Sequence, residues 1–204
     1  MFKLHIHAQA DNWQKFNRRN NDPRFKPFKE KIFKRDKDQC QFCGFHANVH
    51  MSVVNLDHNY QNNKTTNMVT ACPMCVDTLF LEMCGRLSSG GGTIIFLPEI
   101  SQTDLIGMTH VAFCAKHTSE SYQSLSDGLL STFKLRAKSV EKVFGKGLSQ
   151  PHLLGQLMID TPLQDQQKFF KTIHQNLRFL PDPNRYQKQL DDWRKMEETE
   201  DPKE

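Results

Sequence analysis

The 204 residues suit one domain with extensions, or two small domains, since domains usually run about 100–150 residues. Hydrophobic content of 37% is enough for a real core, and 25% charged residues is ordinary for a soluble protein. The formal net charge of +4 is too mild to argue for a dedicated nucleic-acid binder, which concentrates far more positive charge on one face.

The first twenty residues, MFKLHIHAQADNWQKFNRRN, lack the apolar core of about 7–15 residues that a secretory signal needs. No later stretch approaches the roughly 18–20 apolar residues of a membrane span. A cytosolic protein is expected, and in that reducing compartment its six cysteines should be metal ligands or buried thiols, not disulfides.

Along the chain, Phe2, Leu4 and Ile6 alternate with Lys3, His5 and His7, which predicts a short strand with both histidines facing solvent. Phe25, Phe28, Ile32 and Phe33 recur at helical spacing between Arg24 and Lys37, with Pro27 tolerated in the first turn. The basic residues of this region (Lys15, Arg18, Arg19, Arg24, Lys26, Lys29, Lys31, Lys34, Arg35) are diluted by Asp11, Asp22, Glu30, Asp36 and Asp38, so they read as a solvated helix face that an acidic partner segment could also use. Val53, Val54 and Leu56 predict a strand, and a polar turn follows. A helix is then expected from Thr66 or Asn67 through Cys72, Cys75 and Phe80 towards Gly85.

The glycines 90–92 break that helix and lead into a second strand over TIIFLPEI. Ser101 with Asp104 has the spacing of a capping box for a helix to about His117. Further helices are expected over residues 121–144, from Pro151, and over 163–177. Pro181 and Pro183 mark a linker. Tyr186, Leu190 and Trp193 then share a stripe that folds back onto the chain, before an acidic tail expected to be disordered. The fold class read from this order is α+β. Its parts are residues 1–98 as a zinc-binding module with an amino-terminal strand and basic helix, 99–180 as a helical part packed on it, and 181–204 as linker, short amphipathic helix and tail.

Two pairs carry the chemistry. Cys40-x2-Cys43 and Cys72-x2-Cys75 stand 28 residues apart, and each can form a knuckle that aims two thiolates at one point. Zn²⁺ accepts four thiolates without redox chemistry, whereas a redox CxxC would be expected beside a βαβ pattern that this sequence lacks. One structural zinc held by Cys40, Cys43, Cys72 and Cys75 is therefore expected, and it would contribute to folding outright. Cys84 and Cys114 fall outside the pattern and read as buried thiols.

Residues 24–84 resemble the HNH, or ββα-metal, nuclease module: KIFKRDKDQCQFCG matches its helix and first knuckle, NLDHN its Asp-His pair, and TNMVTACPMC its Asn and second knuckle. The resemblance implies that His58 matches the general base, Asp57 a metal ligand and Asn67 the residue that orients the histidine. The position after the last knuckle cysteine, a ligand in active members, is Val76, and an isopropyl group cannot hold a hard cation. Asp77 is one helical step away, about 100° round the axis. Asp57, His58 and Asn67 are thus expected as vestiges in a hydrogen-bonded turn, with no catalytic residue; the competing reading is a metal-dependent HNH-type endonuclease.

A narrower resemblance spans nearly the whole chain. CQFCGF, VVNLDHNYQNNK, NMVTAC and GGGTIIFLPEISQTDL are similar to the DotN (IcmJ) family of the Dot/Icm type IVB secretion system of intracellular bacterial pathogens. That resemblance implies a non-catalytic assembly component at the cytoplasmic face of the inner membrane. It would bind the C-terminal extension of the coupling ATPase (DotL-like) and, through it, adaptor proteins that recruit effectors. Nucleic acid is not an expected partner, and no insertion into the membrane is expected.

Overall fold

The computed structural model describes residues 1–85, 91–116 and 119–200, and its mixture of helices with two small antiparallel sheets is α+β. Helix α1 (Asn12–Asn20), which the sequence reading leaves out, precedes α2 (Lys26–Arg35). Strands β1 (Ser52–Asn55) and β2 (Met68–Ala71) pair with Val53 opposite Thr70, and α3 (Pro73–Leu79) follows directly. Here the expected single helix from residue 66 or 67 is corrected. Met68, Val69, Thr70 and Ala71 are all buried in the ladder, and Pro73, which cannot donate to a helical bond, opens the helix at its first position.

The second sheet joins β3 (Gly92–Phe96) to β4 (Leu177–Pro181), with Ile94 opposite Phe179. Between them run α4 (Gln102–Ala115), α5 (Glu120–Leu135), α6 (Ala137–Val143), α7 (Pro151–Asp160) and α8 (Leu163–Asn176). Ser101 Oγ accepts the Asp104 N–H at 3.1 Å, the cap its spacing predicts. The expected 121–144 helix is broken at Arg136, and the stretch expected as a linker begins as a fully buried strand end. After it, Pro183–Tyr186 makes a 3-10 turn capped by Asp182, which accepts the Asn184 N–H at 3.0 Å. Helix α9 (Gln187–Glu200) buries Leu190 and Trp193 against the body, as the stripe predicts; it runs on through the first half of the acidic tail expected as disordered, which corrects that expectation for residues 197–200, and residues 201–204 lie outside the described residues.

Neither two-stranded sheet could persist alone in water, and both are held by side chains from elsewhere. Arg35 donates to the Met68 carbonyl at 2.6 Å and the Thr65 carbonyl at 2.8 Å, while Asp36 accepts the Thr70 N–H at 2.8 Å. Arg19 reaches Asn55 Oδ1 at 2.5 Å and the Val53 carbonyl at 2.8 Å. Arg19 and Arg35 are therefore struts, which corrects their reading as part of a solvated face. In the second sheet Gln102 donates to the Phe179 carbonyl at 2.9 Å and accepts the Phe179 N–H at 2.8 Å.

The amino-terminal residues expected as a strand pair with no other strand among the described residues. They are extended all the same, with Leu4, Ile6 and Ala8 buried, and they are tied by His7 N–H to the Thr78 carbonyl and by Leu81 N–H to the His7 carbonyl. The largest apolar cluster runs from Leu4 and Phe16 through Val54, Leu105 and Phe113 to Tyr186 and Trp193, so the ends of the chain share one core. Cys114 is exposed, against expectation. It lies with Val111 on the outward face of α4, while Leu105, Thr109 and Phe113 face inward.

Gly92 enters β3 at φ 133°, and a Cβ there would stand 2.4 Å from the Leu180 carbonyl oxygen and 2.6 Å from the Phe179 ring. Gly92→Ala should accordingly cost about 2–4 kcal/mol, read as a lower urea midpoint with unchanged m-value.

Candidate metal centre

The first knuckle follows α2 on a tight loop. Cys40 N–H donates to the Phe45 carbonyl at 2.8 Å, Gly44 N–H returns to the Cys40 carbonyl at 2.9 Å, and Gly44 takes φ 78°, a left-handed value that favours glycine. The second knuckle sits at the β2–α3 junction, where Cys72 is the extended residue before the helix and its carbonyl accepts the Val76 N–H at 2.9 Å. The two knuckles meet: the sulfurs of Cys40, Cys43, Cys72 and Cys75 all lie within 4.8 Å of one another, and Cys43 Sγ and Cys72 Sγ are 3.6 Å apart. A tetrahedral ion with sulfur at about 2.3 Å requires sulfurs about 3.8 Å apart, so the donor set fits one metal ion. Burial pushes the Cys72 and Cys75 thiols well above their ordinary range. A divalent cation is what lets buried thiols ionise.

A buttress stands behind the sulfurs that spacing could not reveal. His110 of α4 is buried, and its Nε2 lies 3.4 Å from Cys72 Sγ. His110 Nδ1 is buried without a hydrogen-bond partner. A bare acceptor nitrogen is cheaper to bury than an unpaired N–H, so the ring proton belongs on Nε2, where it donates to the sulfur. Phe45 stacks flat on His110 at 4.0 Å and 9°, and Trp193 of α9 closes edge-on to Phe45 at 4.6 Å. The last helix thus braces the outer shell of the first knuckle. The only sequence hint was Trp193 on a helical stripe.

Asp57, His58 and Asn67 occupy the β1–β2 connection. Asn67 Nδ2 donates to Asp57 Oδ1 at 2.8 Å while its Oδ1 accepts the Asp57 N–H at 3.1 Å. Asn62 Nδ2 takes Asp57 Oδ2 at 2.7 Å, and Asn59 N–H takes Oδ1 at 2.9 Å. Slight burial works the other way, but these amides hold the Asp57 carboxyl below the usual carboxylate range. Asn67 makes no hydrogen bond to His58 among the described residues. Instead His58, at φ 57°, stacks on His7 at 3.8 Å and 16°, and Asn12 Nδ2 holds its carbonyl at 2.7 Å. His7 is therefore half-buried and not solvent-facing, because the amino-terminal segment threads past this turn; His5 is exposed and stacks on His174 at 4.6 Å.

Val76 faces elsewhere. It lines a cleft of about 450 Å³ with Trp13, Phe16, Pro73, Arg185 and Tyr186, and Asp57, His58 and Asn67 do not line it. Asp77 is locked at the cleft wall. Arg185 grips it with two N–H groups, one at 2.8 Å to Oδ1, and Tyr186 OH donates to Oδ2 at 2.6 Å.

No family model matches the chain. A curated relative does: it is 41% identical over 194 residues, 94% of this chain and 89% of the relative, to the type 4 apparatus protein DotN of Legionella pneumophila.

Removing one ligand should release the fold's staple. Cys72→Ser is expected to abolish stoichiometric metal and the cooperative melt, whereas His110→Leu should fold but hold the metal about 10–100-fold more weakly in a chelator competition.

The histidines set a pH dependence. Burial, with His58 close by, brings His7 down to about 3, and burial with His5 close by brings His174 to about 4, against 6.5 when unfolded. The unfolded chain binds those protons first, so the contribution is complete above pH 6.5 and is lost as pH falls towards 4. Urea midpoints should drop over that window by the equivalent of a few kcal/mol, the roughly 3 kcal/mol that each histidine could contribute being lessened by solvent, and His7→Phe should flatten the drop.

Proposed function

This chain belongs to the DotN family of type 4 apparatus proteins. On that premise we propose that it is a non-catalytic assembly component of a Dot/Icm type IVB secretion system. It holds one structural Zn²⁺ on Cys40, Cys43, Cys72 and Cys75 and binds the C-terminal extension of the coupling ATPase (DotL-like). Through that partner it would reach adaptor proteins and the cytoplasmic face of the inner membrane.

The observation that carries the reading is identity sustained over almost the whole of both chains, helical part included, and not confined to the cysteine module. A shared module alone would speak only for a fold. Chemistry favours scaffold over enzyme. Four thiolates leave a zinc no open position for water or substrate. Both oxygens of Asp57 are already taken by Asn62, Asn67 and Asn59. Val76 offers no ligand atom, and Asp77 is committed to Arg185 and Tyr186. The site reads as a degenerate HNH-like centre in which the Asp-His-Asn motif has become a turn. No helix among the described residues is long and apolar enough to cross a membrane, consistent with attachment through a partner.

The cleft beside Val76 is a groove that a partner segment could enter. It lies between α1, α3 and the turn before α9, with Trp13, Phe16, Val76 and Tyr186 on its floor and polar and charged groups such as Asn17, Lys29, Asp77 and Arg185 round them. An extended or helical peptide anchored by one or two apolar side chains fits that shape.

Co-purification with the isolated C-terminal extension of the coupling ATPase tests the assignment. A stable complex is expected, weakened at least about tenfold by Trp13→Ala, since interface aromatics are the usual anchors. In parallel, supercoiled plasmid with Mg²⁺ or Mn²⁺ should stay uncut, and Asp57→Ala should leave complex formation intact. Nicking that vanishes in His58→Ala, with the fold retained, would make the protein an endonuclease.

A further inference from the structure

Charge is segregated along this chain. Residues 15–37 hold ten Lys or Arg against three Asp or Glu, a net of +7; the chain totals of 27 and 23 leave 17 and 20 elsewhere, a net of −3. The structure divides those ten cations into two groups. Arg19 is spent on Asn55 and the Val53 carbonyl, Arg24 on Asp22, and Arg35 on Asp36 and two carbonyls. Lys29 is half-buried, bonded to Asn20 at 3.2 Å and set over the Phe33 ring. The other six are exposed: Lys26, Lys31 and Lys34 on α2, Lys37 just beyond it, and Lys15 and Arg18 on α1. None of these six enters an ion pair among the described residues.

The same outward face of α2 carries an apolar group. Phe28 is 52% exposed, and Lys31 Nζ stands 5.8 Å from its ring centroid, with exposed Pro27 alongside. Ile32, one turn on from Phe28, is buried, and Lys29 and Phe33 on the opposite side of the helix are half-buried, so the face is fixed in its orientation. Glu30 is the one acid that α2 contains. A half-exposed aromatic ring among unpaired lysines is the composition of a helix that lies at a charged interface.

We propose that this face of α2 is a peripheral contact for an anionic lipid surface, with Lys31 and Lys34 meeting headgroup phosphates and Phe28 entering the headgroup–acyl boundary. Two observations favour lipid over nucleic acid or an acidic peptide. Guanidinium forks recognise phosphates bidentately, yet three of the four arginines here are used internally, leaving mostly lysines, which act as point charges in a diffuse field. The face is also the convex outside of a helix. The cleft that Val76 lines takes in only Lys29 of the set, so the free lysines lie outside it, whereas a planar charged surface needs no groove. The proposal stands apart from the assembly reading, because neither the cysteine cluster nor the Val76 cleft enters it.

The full-length, metal-loaded protein should co-sediment at low salt with vesicles containing about a third phosphatidylglycerol, and pure phosphatidylcholine vesicles should leave it in solution. Roughly 0.5 M NaCl should release it. K31E with K34E should lower partition at least about tenfold, and Phe28→Ala about threefold, with melting and metal content unchanged. Should the charge reversals disturb folding, Lys31→Gln with Lys34→Gln gives the milder comparison and the same direction. Equal retention on both vesicle types, no retention on either, or no loss in the double variant overturns the proposal. So does a protein that ignores vesicles but binds duplex DNA or polyglutamate through Lys31 and Lys34, which would give the face to that partner instead.

Discussion

The meeting of two knuckles 28 residues apart is the constraint on which the rest of the molecule leans. It fixes the loop after α2 against the start of α3, and everything between Cys43 and Cys72 becomes a closed loop that includes the β1–β2 hairpin. Closing such a loop costs chain entropy that a four-residue pair of strands cannot repay by its own hydrogen bonds. Once the sulfurs are together, α2 lies along the hairpin, and Arg35 and Asp36 can reach the carbonyls and N–H groups of β2. The same anchor fixes Cys72 against His110, so α4 and, through Phe45 and Trp193, α9 are positioned by it as well.

Short strands leave backbone groups exposed along their edges, and this protein satisfies many of them with side chains in place of further strands. Arg19, Arg35, Asp36 and Gln102 each do so, and Arg178 donates to the Ile100 carbonyl at 2.6 Å and the His174 carbonyl at 2.8 Å. These are charged or amide groups packed close to the core, where each unmade bond would cost its desolvation. The result is a framework in which small sheets are cross-braced by helices. That suits a body whose surface, and not an interior cavity, meets other molecules.

Much of this was legible in the sequence because it is local. The CxxC pairs, the Ser101 cap, the Val53–Val54 strand and the Tyr186–Leu190–Trp193 stripe all declare themselves within a few residues, and the structure realises each. What was not legible depends on distant partners. Met68–Ala71 has no alternation because both faces are buried, so it could not be told from a helix by periodicity. Pro181 looks like a chain breaker until its strand is seen to pair with Gly92. A period of two cannot say which side a neighbouring turn covers, so the burial of His7 against His58 does not show in the sequence. His110 and Asp77 carry no motif, since their roles exist only after α4 and the Arg185 turn arrive.

The Asp-His-Asn trio shows how a hydrogen-bonded turn can use the groups that a metal site would need. A carboxylate that holds a hard metal needs its lone pairs free, and a turn that must close a polar hairpin needs them used. In this chain Asn62 and Asn67 side chains and the Asn59 backbone occupy both oxygens of Asp57, and the amide that the family resemblance assigns to the histidine is turned towards the aspartate. Hairpin closure thus uses Asp57 and Asn67 directly, while the His58 ring stacks on His7 outside that network. Val76 packs into the floor of a cleft between the cysteine module and the last helix. The position at which the resemblance sets a metal ligand is thus the one that now faces outward to a groove. On the proposed reading, losing that ligand and gaining a docking surface follow from one substitution viewed from its two sides.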